Sequence, residues 1–165
     1  MKKSDLIFKL GPSLVSYRMN RWFGYKRFNP ITLTYSVTAA CQSRCKTCQI
    51  GQMFCNDPTR PEKDLKLDEI EKIFKTMKPV YFFNMSGGEP FMRKDLPEIV
   101  RLACKYLKPR VVHTPTNAIL SDRIIEYSEK IINIVREYDP TVPFTVKPSI
   151  DGVGELHDEI RGVKG

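Results

Sequence analysis

The sequence predicts an α/β fold built on a parallel sheet. Runs rich in β-branched and aromatic residues alternate with amphipathic stretches of helical period, in the order strand, helix, strand, helix, strand, helix, strand. The motifs with chemical character follow the strands, at the carboxyl rim where parallel α/β folds place their sites. Composition agrees with a globular domain: 41% hydrophobic and 28% charged residues over 165 positions, which suits one domain.

The elements follow in chain order. Residues 13–23 predict a short helix, with Pro12 near its start and Gly24 past its end. Leu14, Val15, Met19, Trp22 and Phe23 share one face, flanked by Arg18 and Arg21. That face is expected to pack across the open end of the body; the rival placement is on an anionic membrane surface. Residues 31–38 read as strand one, followed by a long loop with the cysteines, Pro58 and Pro61. A helix is expected over 68–78, where Ile70, Ile73, Phe74 and Met77 recur at helical spacing before Pro79. Residues 80–85 form strand two. Asp95 is placed to cap a helix over 96–108, whose apolar side carries Ile99, Val100, Ala103, Cys104 and Leu107. Strand three covers 110–114, Ser121 is placed to cap a helix reaching Tyr138, and strand four covers 142–150, weakened by Pro143 and Pro148.

The net charge of +8 is concentrated in a basic N-terminal extension, residues 1–30, where Lys2, Lys3, Lys9, Arg18, Arg21, Lys26 and Arg27 oppose Asp5 alone. The remaining body, 31–165, is nearly balanced, so no nucleic-acid partner is expected. Lys9 and Gly11-Pro12 break the first apolar run, which argues against a secretory signal and for the cytoplasm. Peripheral membrane contact is the less favoured alternative.

Four of the five cysteines, Cys41, Cys45, Cys48 and Cys55, lie within fifteen residues; Cys104 stands apart on an apolar helical face and reads as core. An odd, clustered set points to metal or redox chemistry rather than a disulfide scaffold. Cys41, Cys45 and Cys48 supply three thiolates from one loop, soft ligands that suit iron–sulfur clusters and zinc. A structural zinc site commonly closes with four ligands, and here Cys55 is a possible fourth, an auxiliary thiol or a plain loop residue. On a cubane cluster, three thiolates would leave one iron open.

The Cys41-x3-Cys45-x2-Cys48 spacing, with Gly87-Gly88-Glu89-Pro90 and Ser149-Ile150-Asp151-Gly152, resembles the radical S-adenosylmethionine (SAM) superfamily. The segments Gly87–Leu96 and His157–Gly162 are similar to the subgroup of peptide maturases and the molybdenum-cofactor cyclase. The resemblance implies a partial (βα)6 TIM-like barrel, of which about four strand–helix units are present. It implies a 4Fe–4S cluster on Cys41, Cys45 and Cys48, with SAM on the open iron. It implies cofactor contacts from Gly87, Gly88, Glu89, Asn117, Ser149 and Asp151. The implied reaction is reductive cleavage of SAM to a 5′-deoxyadenosyl radical that abstracts hydrogen from a peptide or small molecule. An electron donor such as ferredoxin or flavodoxin is implied with it. Arg93 and Arg161 are candidates to neutralise a carboxylate or a substrate anion. The sequence departs from the pattern at Thr47, where an aromatic is usual, at Ala118, where glycine is usual, and at Lys147-Pro148.

A complete eight-unit barrel takes about 250 residues. The expectation is therefore a core truncated at its C-terminal end: a fragment, a shortened reading frame or half of a split enzyme completed by another polypeptide. Strand four would then be an exposed edge, with apolar faces turned to water. The rival to an enzyme is a non-catalytic metal-holding remnant or subunit.

Overall fold

A computed structural model describes residues 3–24 and 30–164. Helix α1, Lys3–Phe23, is longer than expected and runs through Pro12 instead of starting there. Leu14, Val15, Met19, Trp22 and Phe23 are all exposed, so the expected packing of that face is not seen among the described residues. The Arg18 guanidinium sits 5.8 Å from the centre of the Trp22 ring. Lys2, Lys26 and Arg27 of the basic extension lie outside the described residues. No described helix is long and apolar enough to cross a membrane.

The body is an open, four-stranded parallel sheet in the order β1 (Thr32–Thr38), β2 (Phe82–Gly87), β3 (Val111–Thr116), β4 (Phe144–Pro148). Between the strands run α2 (Ile50–Asn56), α3 (Leu67–Thr76), α4 (Leu96–Leu102) and α5 (Ser121–Tyr138), and α6 (Glu155–Arg161) follows β4. This is the α/β arrangement of a partial TIM-like barrel, with the sheet not closed. β4 forms one edge of the open sheet, and Ile125, Ile150, Val153 and Leu156 are exposed.

Each strand alternates, and the two sheet faces differ accordingly. One face, with Val37, Phe83, Met85 and Val112, packs under α3, α4 and α5 through Ile70, Phe74, Ile99, Val100, Leu107 and Ile131, all essentially sealed from solvent. Phe74 joins the layers edge-on, with ring centres 6.0 Å from Tyr35 and 5.8 Å from Phe83. The other face is polar. Asn84 donates to Thr34 Oγ1 at 3.4 Å, and His113 Nδ1 pairs with Thr145 Oγ1 at 2.7 Å. Phe82 lies on this face against His113, whereas Phe83 turns to the core.

Several local expectations change. Asp95 occupies the N-cap of α4 without making a capping bond, because Arg93 takes its carboxylate. Leu120, not Ser121, occupies the N-cap position of α5, and no side chain caps that end. The helix after Asp95 passes at Ala103–Leu107 into a π-helical turn that closes on Lys108 in the left-handed region. Helix α2 forms within the long loop expected after strand one, and a further short helix, α6, follows β4.

Arg93 is a structural clamp. Its side chain is 8% exposed, and its Nε meets Asp95 Oδ1 at 2.6 Å. Its Nη2 donates to Leu65 O at 2.6 Å and its Nη1 to Val37 O. One cation thus joins the end of β1, the approach to α3 and the start of α4, leaving no free fork for a substrate anion. Replacing it by Met should cost about 2–3 kcal/mol, because two carbonyls and a carboxylate lose their donor. A urea melt should show the midpoint falling with an unchanged slope. Ala118, the residue standing where glycine is usual, has φ +64°. An L side chain pays about 1–2 kcal/mol there, offset by the extra freedom of unfolded glycine. Ala118→Gly should therefore stabilise the protein by about 0.5–1 kcal/mol in the same melt.

Candidate functional site

The site begins where β1 ends. The register of β1 against β2 slips between Ser36 and Thr38, so that Thr38 lies opposite Gly87. The cysteine loop starts at this irregularity. Gly88 N–H donates to Thr38 O and Glu89 N–H to Ala40 O, both at 2.8 Å. These bonds press the end of β2 onto the loop. A Cβ on Gly88 would meet Ala40 O at 2.0 Å, and Gly87 has φ +115°. Both positions thus demand glycine for chain-on-chain approach, whatever else binds there.

Glu89 is 1% exposed. Its Oε1 accepts from Thr116 Oγ1 at 2.9 Å and from Phe91 N–H at 3.2 Å, and its Oε2 from Asn117 N–H at 2.7 Å. The carboxylate therefore faces inward and welds the ends of β2 and β3. Asn117 in turn donates through Nδ2 to the buried Ser43 Oγ at 2.9 Å and accepts from Gln42 Nε2 at 3.4 Å. Thr116, with Ser43 and Gln42, which no motif singled out, thus completes a hydrogen-bonded path from β2 to the cysteine loop.

One cavity of about 170 Å³ gathers Cys41, Cys45, Cys48, Gly87, Gly88, Glu89, Asn117 and Ser149 on its wall, with Ser43, Thr116 and Arg161. Two larger hollows, of about 400 and 590 Å³, contain none of the cysteines. Ser149 is held there by its N–H, which donates to Thr116 O at 2.9 Å. Asp151 is not on the wall; its Oδ2 pairs with Arg161 Nε at 2.7 Å. Cys55 lies outside the cavity, and its Sγ accepts from Arg44 Nε at 3.2 Å. Cys104 is core, and burial pushes its thiol up to about 11. Cys41 and Cys45 are half-buried and Cys48 is exposed. Burial also pushes the Cys41 thiol up, against a backbone bond at Ser43.

Among the described residues no three His, Cys, Asp or Glu side chains converge on a single-ion site. The three thiols are instead set around one cavity wall. A cubane takes each thiolate on a different iron, so this donor set suits it.

Burial raises the Glu89 carboxyl above its ordinary range, although its three donors oppose the shift. Folded protein then binds more protons than unfolded between the ordinary and the raised value. Stability is fully present below the ordinary carboxyl range and is lost as pH rises through the raised one. Glu89→Gln cannot ionise, so wild type should lose stability relative to it as pH rises above the ordinary carboxyl range. Denaturation midpoints of the metal-free proteins measure this, and parallel pH profiles are the contrary result.

Comparison with known proteins bears on this geometry. The family model of the radical SAM superfamily matches residues 35–165. The chain is 32% identical over 136 residues to Fe-coproporphyrin III synthase of Methanosarcina barkeri, covering 81% of this chain and 30% of that protein. It is 30% identical over 142 residues to mycofactocin maturase MftC of Mycobacterium tuberculosis, covering 81% and 31%. It is 31% identical over 139 residues to AdoMet-dependent heme synthase of Oleidesulfovibrio alaskensis, again covering 81% and 31%. The chain thus spans about a third of the length of these relatives. With a matching family model over most of its length and its three loop cysteines on one cavity wall, the chain belongs to the radical SAM superfamily.

Proposed function

We infer that this chain is a radical SAM enzyme domain in which Cys41, Cys45 and Cys48 hold a 4Fe–4S cluster, acting on a peptide or small-molecule substrate. The observation that carries the reading is the convergence of the three cysteines, the Gly87–Glu89 turn, Asn117 and Ser149 on one cavity wall. When bound, the cluster supplies the electron that cleaves SAM to methionine and a 5′-deoxyadenosyl radical.

The chain's own residues bind and orient. The cysteine loop presents three thiolates, and the bonds from Gly88 and Glu89 hold its first turn against β2. Backbone groups of Gly87 and Gly88 border the cavity because no side chain stands in front of them, and they offer polar contacts to the amino acid end of SAM. Asn117 and Ser149 add polar groups on the opposite strands. Glu89 shapes the wall through position, its carboxylate accepting from Thr116, Phe91 and Asn117.

Anaerobic reconstitution with iron and sulfide tests the reading. Wild type should develop the brown charge-transfer absorption of a cubane. Single Cys41→Ala, Cys45→Ala or Cys48→Ala changes should lower bound iron about tenfold or more, whereas Cys55→Ala should leave it intact. Reductant and SAM should then release 5′-deoxyadenosine. Tightly bound zinc without iron–sulfur absorption would overturn the proposal. A cluster without SAM cleavage would favour a non-catalytic, metal-holding subunit.

A further inference from the structure

Arg161 is the basic side chain on the wall of the cysteine cavity. Its Nη1 donates to Cys45 Sγ at 3.6 Å, a normal reach for the large sulfur atom, and its Nε lies 2.7 Å from Asp151 Oδ2. The side chain is 18% exposed. The backbone around it is fastened on both sides of the same cysteine: Arg161 O accepts from Arg44 N–H at 3.0 Å, and Ile160 O accepts from Lys46 N–H at 2.8 Å. Gly162 has φ +65°, and a Cβ there would meet Arg44 O at 2.5 Å, so the end of α6 is fitted directly onto the loop. The contrast is the nearby Lys46–Glu159 pair, whose side chains are 60% and 64% exposed and which touches no thiol.

We propose that Arg161 is a positioning residue for the Cys45 thiolate, held by Asp151 so that its guanidinium donates to the sulfur and favours the reduced cluster. The proposal rests on the cluster reading above. Hydrogen bonds to the ligand sulfurs and local net charge set the potential of an iron–sulfur cluster. A cationic donor on one sulfur stabilises the added negative charge after one-electron reduction, and so makes the cluster easier to reduce. Asp151 thereby leaves the set of expected cofactor contacts and becomes the residue that aims Arg161.

The test uses the full chain, reconstituted anaerobically and titrated with reductant under electron paramagnetic resonance. Arg161→Gln should shift the reduction equilibrium about tenfold toward the oxidised cluster, about 59 mV for one electron. Arg161→Lys should recover part of that shift. In an Asp151→Asn background the Arg161→Gln shift should shrink, because the guanidinium is no longer aimed. A second measurement does not depend on any variant assembling its cluster. Wild type grown with arginine carrying nitrogen-15 in the guanidino group should show a nitrogen-15 coupling to the reduced cluster in pulsed spectra. A midpoint for Arg161→Gln within about twofold of wild type in the reduction equilibrium, or a cluster-bearing wild type without that coupling, overturns the proposal and leaves the cluster reading standing. Wild type that takes up no cluster takes both down.

Discussion

A buried carboxylate organises the rim of this sheet. Glu89 is sealed from water and accepts three hydrogen bonds, two from consecutive residues at the end of β3 and one from its own turn. Burying that group without donors would be costly, so the ends of β2 and β3 are held in the one arrangement that satisfies it. The constraint passes outward through Asn117 to Ser43, and through Glu89 N–H to Ala40, into the loop that carries the cysteines. Polar satisfaction at the rim of the sheet thus helps to place the loop.

The sheet itself explains why a polar cavity survives beside a dry core. Parallel strands buried on both faces read as continuous apolar runs. Here the strands alternate: Val37, Phe83, Met85 and Val112 turn toward the helices, and Thr34, Asn84, His113 and Thr145 toward the open face. Among the described residues one face carries a helix layer, and the other carries paired polar side chains. That division is what a partial barrel requires, with helices outside and chemistry inside its rim.

The strands, the long helices and the cysteine loop were legible because their signals are local: period two, period three to four, and three thiols in eight residues. Elements of marginal local signal were missed. Helix α2 has seven residues and lies inside a loop rich in polar residues, and α6 is as short and is docked by bonds from Arg44 and Lys46. Neither carries an apolar period long enough to announce itself. Asp95 shows a different kind of miss. Its residue type and position fit a cap, but Arg93 stands two residues away and outcompetes the backbone for its carboxylate.

The sequence alone determined the α/β alternation, the family and the identity of the three thiols, because these depend on residue types at short spacing. Tertiary structure decided what each charged side chain is for. Arg93 became a clamp on Val37 and Leu65, Glu89 a weld between strands, and Asp151 a partner of Arg161. The physical reason is competition: a charged group in a low-dielectric rim goes to whichever donor or acceptor lies within about 3 Å, and many of those partners come from residues far apart in the chain.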